Sequence, residues 1–168
     1  LVRRRRVLEG NHPVEIQLDG KPLLNFSSND YLGLASHPEL VASLNKSAGR
    51  DGVGSGASAL VTGFRAEHRL LEQELAEFPQ REKVLLCSSG YLANLAVATS
   101  LAGRGDVIIQ DKLSHASLID AARLSGARLS RYAHLDMSAL ERRLLHVGGG
   151  NTLVVTDGIF SMDGDIAP

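Results

Sequence analysis

Three segments of this chain set small, hydroxyl-bearing and ionisable residues where a short β-branched run gives way to a helix or turn. Ser88-Ser89-Gly90-Tyr91-Leu92-Ala93-Asn94 follows the apolar run 84–87 and opens a helical pattern. Amides in the first turn of a helix have no intrahelical acceptor, and the helix dipole favours negative charge there. Small residues at 88–90 would let a phosphate approach the main chain. The same segment also reads as an ordinary N-cap serine followed by a glycine turn. Asp111-Lys112-Leu113-Ser114-His115-Ala116-Ser117 leaves the next run at the edge where open α/β sheets bind ligands. An imidazole there can lie flat on a planar ring or handle a proton near neutral pH, or it can simply cap the following helix. In Thr156-Asp157-Gly158-Ile159-Phe160-Ser161-Met162-Asp163-Gly164-Asp165, Ser161 can donate to a phosphate and Asp157 can accept from a protonated ring group. An Asp- and Gly-rich turn explains that composition equally well.

The elements that must position these residues follow from hydrophobic periodicity. Strand-like runs at 84–87, 107–110, 128–132 and 153–156 alternate with helical patterns at 91–101, 115–124 and 137–145, and Asp136 is an N-cap for the last of them. That alternation predicts an α/β fold with a mostly parallel sheet and crossover helices. Upstream, 14–18 and 23–26 flank Asp19-Gly20, a hairpin signal, while 38–45 and 67–78 read as helices outside the sheet. Leu70, Leu71, Leu75 and Phe78 recur at helical spacing, which is core packing.

Composition narrows the function. In 168 residues, 18 Lys and Arg balance 19 Asp and Glu, so the net charge of -1 gives no field for polyanion binding and argues against a nucleic-acid partner. Arg3 to Arg6 form the one block of like charge, too short for a nucleic-acid tail. No apolar run reaches the length of a membrane span or a secretory signal, and a soluble cytoplasmic protein is expected. The single cysteine, Cys87, is expected to be a reduced, buried thiol. His12, His37, His68, His134 and His146 lack metal-ligand spacing, so no metal is expected. Gly54-Ser55-Gly56-Ala57-Ser58-Ala59 matches a dinucleotide fingerprint in letters only, because no strand leads into it. Arg104-Gly105-Asp106 reads as a turn. The chain starts at Leu1 and stops at Pro168 after a turn-rich stretch, and both ends look cut.

Phe26-Ser27-Ser28-Asn29-Asp30-Tyr31-Leu32-Gly33-Leu34, the glycine-rich loop 52–63, Ser89-Gly90-Tyr91, Ser114-His115-Ala116-Ser117 and the 157–165 segment together resemble the α-oxoamine synthases, pyridoxal-phosphate enzymes of fold type I. The resemblance covers nearly the whole chain, in the family's motif order. It implies an N-terminal arm and small-domain segment over 1–50 and the first part of the cofactor-binding large domain over 51–168. By the resemblance, Gly90 and Tyr91 hold the cofactor phosphate through their amides, His115 stacks on the pyridine ring as the catalytic histidine, and Asp157 and Ser161 also contact the cofactor. Asn29 and His115 lie near substrate, as does Arg3, with Arg4 as the alternative. The implied reaction is decarboxylative condensation of L-alanine with a pimeloyl thioester of coenzyme A or a carrier protein. A sibling acyltransferase using glycine and a noncatalytic scaffold are the other readings. The implied assembly is a homodimer, with the 52–63 loop facing a partner's cofactor. The lysines are Lys21, Lys46, Lys83 and Lys112, none in the family's Schiff-base context, and the aspartate that meets the pyridine nitrogen has no counterpart either. Covalent capture needs an amine and ring activation a carboxylate, so this stretch alone is expected to be inactive.

Overall fold

The computed structural model describes residues 6–8 and 14–168. It divides into two compact units, Leu1–Arg69 and Leu70–Pro168.

In the first unit, β1 (Glu15–Leu18) and β2 (Lys21–Leu24) form an antiparallel hairpin. Its turn residues, Asp19 at φ 53° and Gly20 at φ 73°, both take the left-handed conformation that matches the twist of paired strands. Asp30 then folds the chain back, its carboxylate accepting the Leu34 amide at 2.8 Å. Helix α1 (Pro38–Asp51) has proline in its first turn and ends at Gly52, where φ is 80°. The helix pattern expected over 38–45 therefore runs on to the first residue that cannot continue it. The glycine-rich loop closes a single π-helical turn over Ala59–Gly63, and α2 (Ala66–Glu77) follows.

The second unit carries the expected parallel sheet. Helix α3 (Gly90–Leu101) precedes β3 (Val107–Asp111), α4 (Ala116–Ser125), β4 (Arg128–Tyr132), α5 (Met137–Leu145) and β5 (Thr152–Val155). Strand order is β4-β3-β5, with Val107 opposite both Arg128 and Thr152. The central strand is buried along its whole length, and its side chains alternate between two cores as a two-residue repeat requires. Ile108 points to Ala98, Ala102, Ala121 and Ala122, the small residues that let α3 and α4 approach each other and the sheet. Val107 and Ile109 join Tyr132 on the opposite face, under Ala139 and Leu140 of α5. Gly126 ends α4 in the left-handed conformation, φ 77°. Asp106 ties the sheet's N-terminal rim together by accepting the Asn151 amide at 2.8 Å and the Gly103 amide at 2.9 Å. Those two amides hold its carboxyl below the usual carboxylate value against the opposing effect of burial.

Three expectations are corrected. Leu70, Leu71, Leu75 and Phe78, read as core packing, are all exposed, and Ala76 is the residue α2 buries. Residues 84–87 form no strand, because no described strand lies alongside to complete a ladder; the Leu86 amide instead reaches the Glu72 carboxylate at 3.4 Å. Cys87, expected to be buried in that strand, is exposed for the same reason. Among the described residues, no helix is long and apolar enough to cross a membrane, and no group of three or more His, Cys, Asp or Glu side chains is placed to hold a metal ion.

Candidate functional site

The first turns of α3 and α4 meet above the C-terminal end of β3. Ser89 is the N-cap of α3, its hydroxyl accepting the Leu92 amide at 3.2 Å. The amides of Gly90 and Tyr91 have no acceptor among the described residues, and a Cβ added at Gly90 would meet nothing within 4 Å. Two donors at the positive end of a helix are thus without a protein acceptor among the described residues. One turn further along, the Tyr91 hydroxyl donates to Asp120 of α4 at 3.0 Å, and that bond, with desolvation and the Asp120 charge, raises the phenol above its ordinary value.

His115 is the N-cap of α4, so the capping role is real. Its ring Nδ1 accepts the Ser117 amide at 3.2 Å and lies 2.6 Å from the Ser117 hydroxyl. Asn94 of α3 donates to that same hydroxyl at 2.9 Å, which leaves the Ser117 O–H to donate to Nδ1. With Nδ1 fixed as an acceptor, the neutral ring carries its proton on Nε2, the nitrogen that none of these contacts uses. The backbone of His115 is held separately, its N–H donating to Asp157 Oδ2 at 2.8 Å. One carboxylate, one hydroxyl and one carboxamide from three elements therefore fix the position, tilt and tautomer of a single imidazole. The preceding Ser114 buries its hydroxyl without a protein partner.

The structure joins His115 to Asp157 by a hydrogen bond, while Tyr91 is tied separately to Asp120 of α4. Ser161 follows four residues after Asp157, exposed on the turn that the Gly164 amide closes onto the Phe160 carbonyl at 2.8 Å, and no hydrogen bond joins it to His115. Asn29 is exposed in the first unit. Arg3 and Arg4 lie outside the described residues. Sequence reasoning assigned no role to Asn94, Ser117 or Asp120. The signal for Ser117 was its place two residues after a helix-capping His, where its amide and hydroxyl both reach the cap side chain; the Asn94 and Asp120 contacts are visible only once α3 and α4 are paired.

A second polar group lies at the same end of the sheet. Asp111, the last residue of β3, is fully buried and accepts the Leu113 amide at 2.7 Å, the Leu135 amide at 2.9 Å and His134 Nδ1 at 3.0 Å. The other nitrogen of His134 meets Asp165 Oδ2 at 3.0 Å. Burial pushes the Asp111 carboxyl up, but the two amides and the His134 ring together outweigh it and hold the carboxyl below its usual range. Asp165, then Asp111, raise the His134 ring above its ordinary value. His134 stands after β4 as His115 stands after β3, the sequence signal that the absence of metal spacing obscured.

Two concavities are also lined by described residues. One, in the first unit, is lined by Ser47, Asp51, Ser55, Arg65, Glu67 and His68. The other, about 370 Å³, runs beside β5 between Asn94, Val97, Leu118, Val154 and Thr156.

The model of the class I and II aminotransferase family matches residues 21–168, and the chain belongs to that family. Within the family the chain is similar to 8-amino-7-oxononanoate synthases. It is 57% identical over 167 residues to the one from Stutzerimonas stutzeri, which is 99% of this chain and 42% of that protein. It is 54% identical to the one from Methylococcus capsulatus, over 99% of this chain and 43% of that protein. The chain thus spans well under half the length of these curated relatives. Among solved structures, a serine palmitoyltransferase from S. paucimobilis with a bound PLP–myriocin aldimine superposes with a TM-score of 0.92 at 32% identity, covering 98% of this chain and 42% of that one. An 8-amino-7-oxononanoate synthase from Francisella tularensis gives 0.69 at 34% identity, over 84% of this chain and 39% of that one.

Proposed function

We propose that this chain is the N-terminal part of a pyridoxal-phosphate acyltransferase that condenses L-alanine with a pimeloyl thioester to give 8-amino-7-oxononanoate, a step of biotin biosynthesis. The observation that carries the reading is the 57% identity over 99% of the chain to a relative of that name. The site residues fit the cofactor: two unpaired helix-start amides suit a phosphate, and a fixed imidazole suits the face of a pyridine ring.

When bound, pyridoxal phosphate supplies an electron sink for the carbanion formed at the α-carbon of an amino acid. The residues of this chain would do the rest of what is assigned to them. The Gly90 and Tyr91 amides bind the phosphate, adding two neutral donors and a helix dipole to its charge. His115 would stack on the pyridine ring, with its Nε2–H left free by the Ser117 contacts to hold a proton. Asp157 keeps one oxygen on the His115 backbone and offers the other to the cofactor, and Ser161 donates a hydroxyl. We place Asn29 and Arg3 at the substrate, the arginine as partner of the acyl chain's distal carboxylate. We assign residues 1–50 to the arm and small domain and 51–168 to the large domain of a cytoplasmic homodimer. The amine that captures the cofactor is assigned to a segment beyond this stretch, which alone would not turn over.

A second reading keeps the same site with a different amino acid. The serine palmitoyltransferase likeness favours it, and one methyl group discriminates alanine from glycine by only about 1–3 kcal/mol. The test is to supply the protein as its gene encodes it with pyridoxal phosphate, pimeloyl-CoA and, in parallel, alanine, glycine or serine, and to follow products by mass. 8-Amino-7-oxononanoate from alanine is expected as the major product. Preference for glycine or serine would move the assignment to the sibling reaction, and no product with any amino acid would defeat both.

A further inference from the structure

His134 sits where neither nitrogen can be idle. Nδ1 faces Asp111 Oδ1 and Nε2 faces Asp165 Oδ2, each at 3.0 Å. A neutral imidazole has one donor and one lone pair, so between two carboxylates it would set that lone pair against an anionic oxygen; an imidazolium donates to both. The edge of Phe160 closes the remaining side, with ring centroids 4.5 Å apart at 86°. Asp111 also holds Leu135 at φ 56°, a left-handed conformation uncommon for leucine, through its amide.

Asp165 and Phe160 belong to one self-closed loop. The Phe160 amide bonds the Asp165 carbonyl at 2.8 Å, the Ala167 amide bonds the Gly158 carbonyl at 3.0 Å, and Ile159 bridges Ile166. That loop begins at Asp157, whose carboxylate holds the His115 amide. We propose that the Asp111–His134–Asp165 clasp is a positioning device: the doubly donating His134 ring fixes the 157–167 loop to the end of β3 and so sets Asp157 against His115 and Ser161 beside it. The placement of Asp157 and Ser161 at the cofactor rests on the proposed function; the clasp itself does not.

The groups that face His134 are Asp111 from β3 and Asp165 from the loop. On its own connection, Asp136 turns to the Ala139 amide of α5 and lies 3.9 Å from Arg142. Tyr132 at the end of β4 is held neutral, its phenol raised by burial and by the Asp111 charge. Among the described residues no Lys or Arg pairs with the two carboxylates, which fits the upward shift of the ring.

The test uses the protein as its gene encodes it, labelled with 15N-histidine, with His134→Gln to assign the ring and Asp165→Asn to remove one carboxylate from a half-buried position in the loop. Both ring nitrogens of His134 are expected to be protonated at neutral pH and to titrate above the usual histidine value, with the midpoint lowered in Asp165→Asn. Amide protection at His115 and Phe160, corrected for the intrinsic pH dependence of exchange, is expected to fall in both variants, and to fall in the wild type as pH passes the His134 midpoint. Pyridoxal-phosphate affinity should fall about tenfold in both, the order of effect when a supporting partner of a site is removed, while Asp163→Asn leaves it unchanged. A neutral His134 at pH 7, or exchange and affinity unmoved in Asp165→Asn, would overturn the clasp. If the wild type binds no pyridoxal phosphate, the proposed function fails and the exchange of the His115 amide alone decides the clasp.

Discussion

At His115 the backbone and the ring are held by different partners, and this separation makes residue-level tests informative. Asp157 grips the amide at 2.8 Å, while Ser117 and Asn94 fix the ring. Asp157→Ala should release the backbone of His115 and lower pyridoxal-phosphate affinity more than Asp157→Asn, which keeps an acceptor oxygen; fluorescence titration of the two variants measures the order, and the reverse order would contradict the arrangement. Ser117→Ala removes the hydroxyl that bridges Asn94 to Nδ1. Loss of such a supporting contact should weaken the cofactor about tenfold or more, with helix content by circular dichroism unchanged. The histidine was legible in the sequence because it follows a β-branched run and precedes a helix. Its partners were not, since each hydrogen bond from Asn94 or Asp157 spans a stretch of chain that local periodicity does not measure.

At the scale of elements, the parts that could be read were those whose signal is local. The run 128–132 and the helix Met137–Leu145 fall where periodicity and the Asp136 cap put them. The run 84–87 has the right residues for a strand, yet a strand is a pairing, and no described neighbour supplies its hydrogen bonds. Helix α1 exceeded its expected span because it runs through Gly49 in helical conformation and ends only at Gly52, where φ turns to 80°. Element-level predictions follow from burial and backbone. Ile108, fully buried between β3 and the alanines of α3 and α4, should lose about 2–5 kcal/mol on Ile108→Ala. Gly126→Ala places a Cβ in a left-handed conformation and should cost about 1–2 kcal/mol. Denaturant unfolding of the protein as its gene encodes it checks both, and a neutral Gly126→Ala would mean that the α4 terminus relaxes without cost.

For the molecule as a whole, two of the lowered carboxyls, Asp106 and Asp111, contribute to the loss of stability in acid. Asp106 joins Gly103 and Asn151 at one end of the sheet, and Asp111 joins Leu113, Leu135 and His134 at the other. Because both folded-state values lie below the unfolded ones, their stabilisation is present above the ordinary carboxylate range near 4 and is lost as pH falls through the lowered values. His134 has the opposite sign: its raised value contributes stability below the ordinary imidazole range near 6.5, lost as pH rises through the folded value. Unfolding free energy measured against pH should therefore show an acid loss that Asp106→Asn diminishes and an alkaline loss that Asp165→Asn diminishes. The central claim is that the start of α3, His115 and Asp157 form one cofactor site. A crystal structure of the protein as its gene encodes it, grown with pyridoxal phosphate, tests this most directly. The phosphate is expected within hydrogen-bonding distance of the Gly90 and Tyr91 amides, with the pyridine ring flat against His115; a cofactor seated elsewhere, with those amides facing solvent, would contradict it.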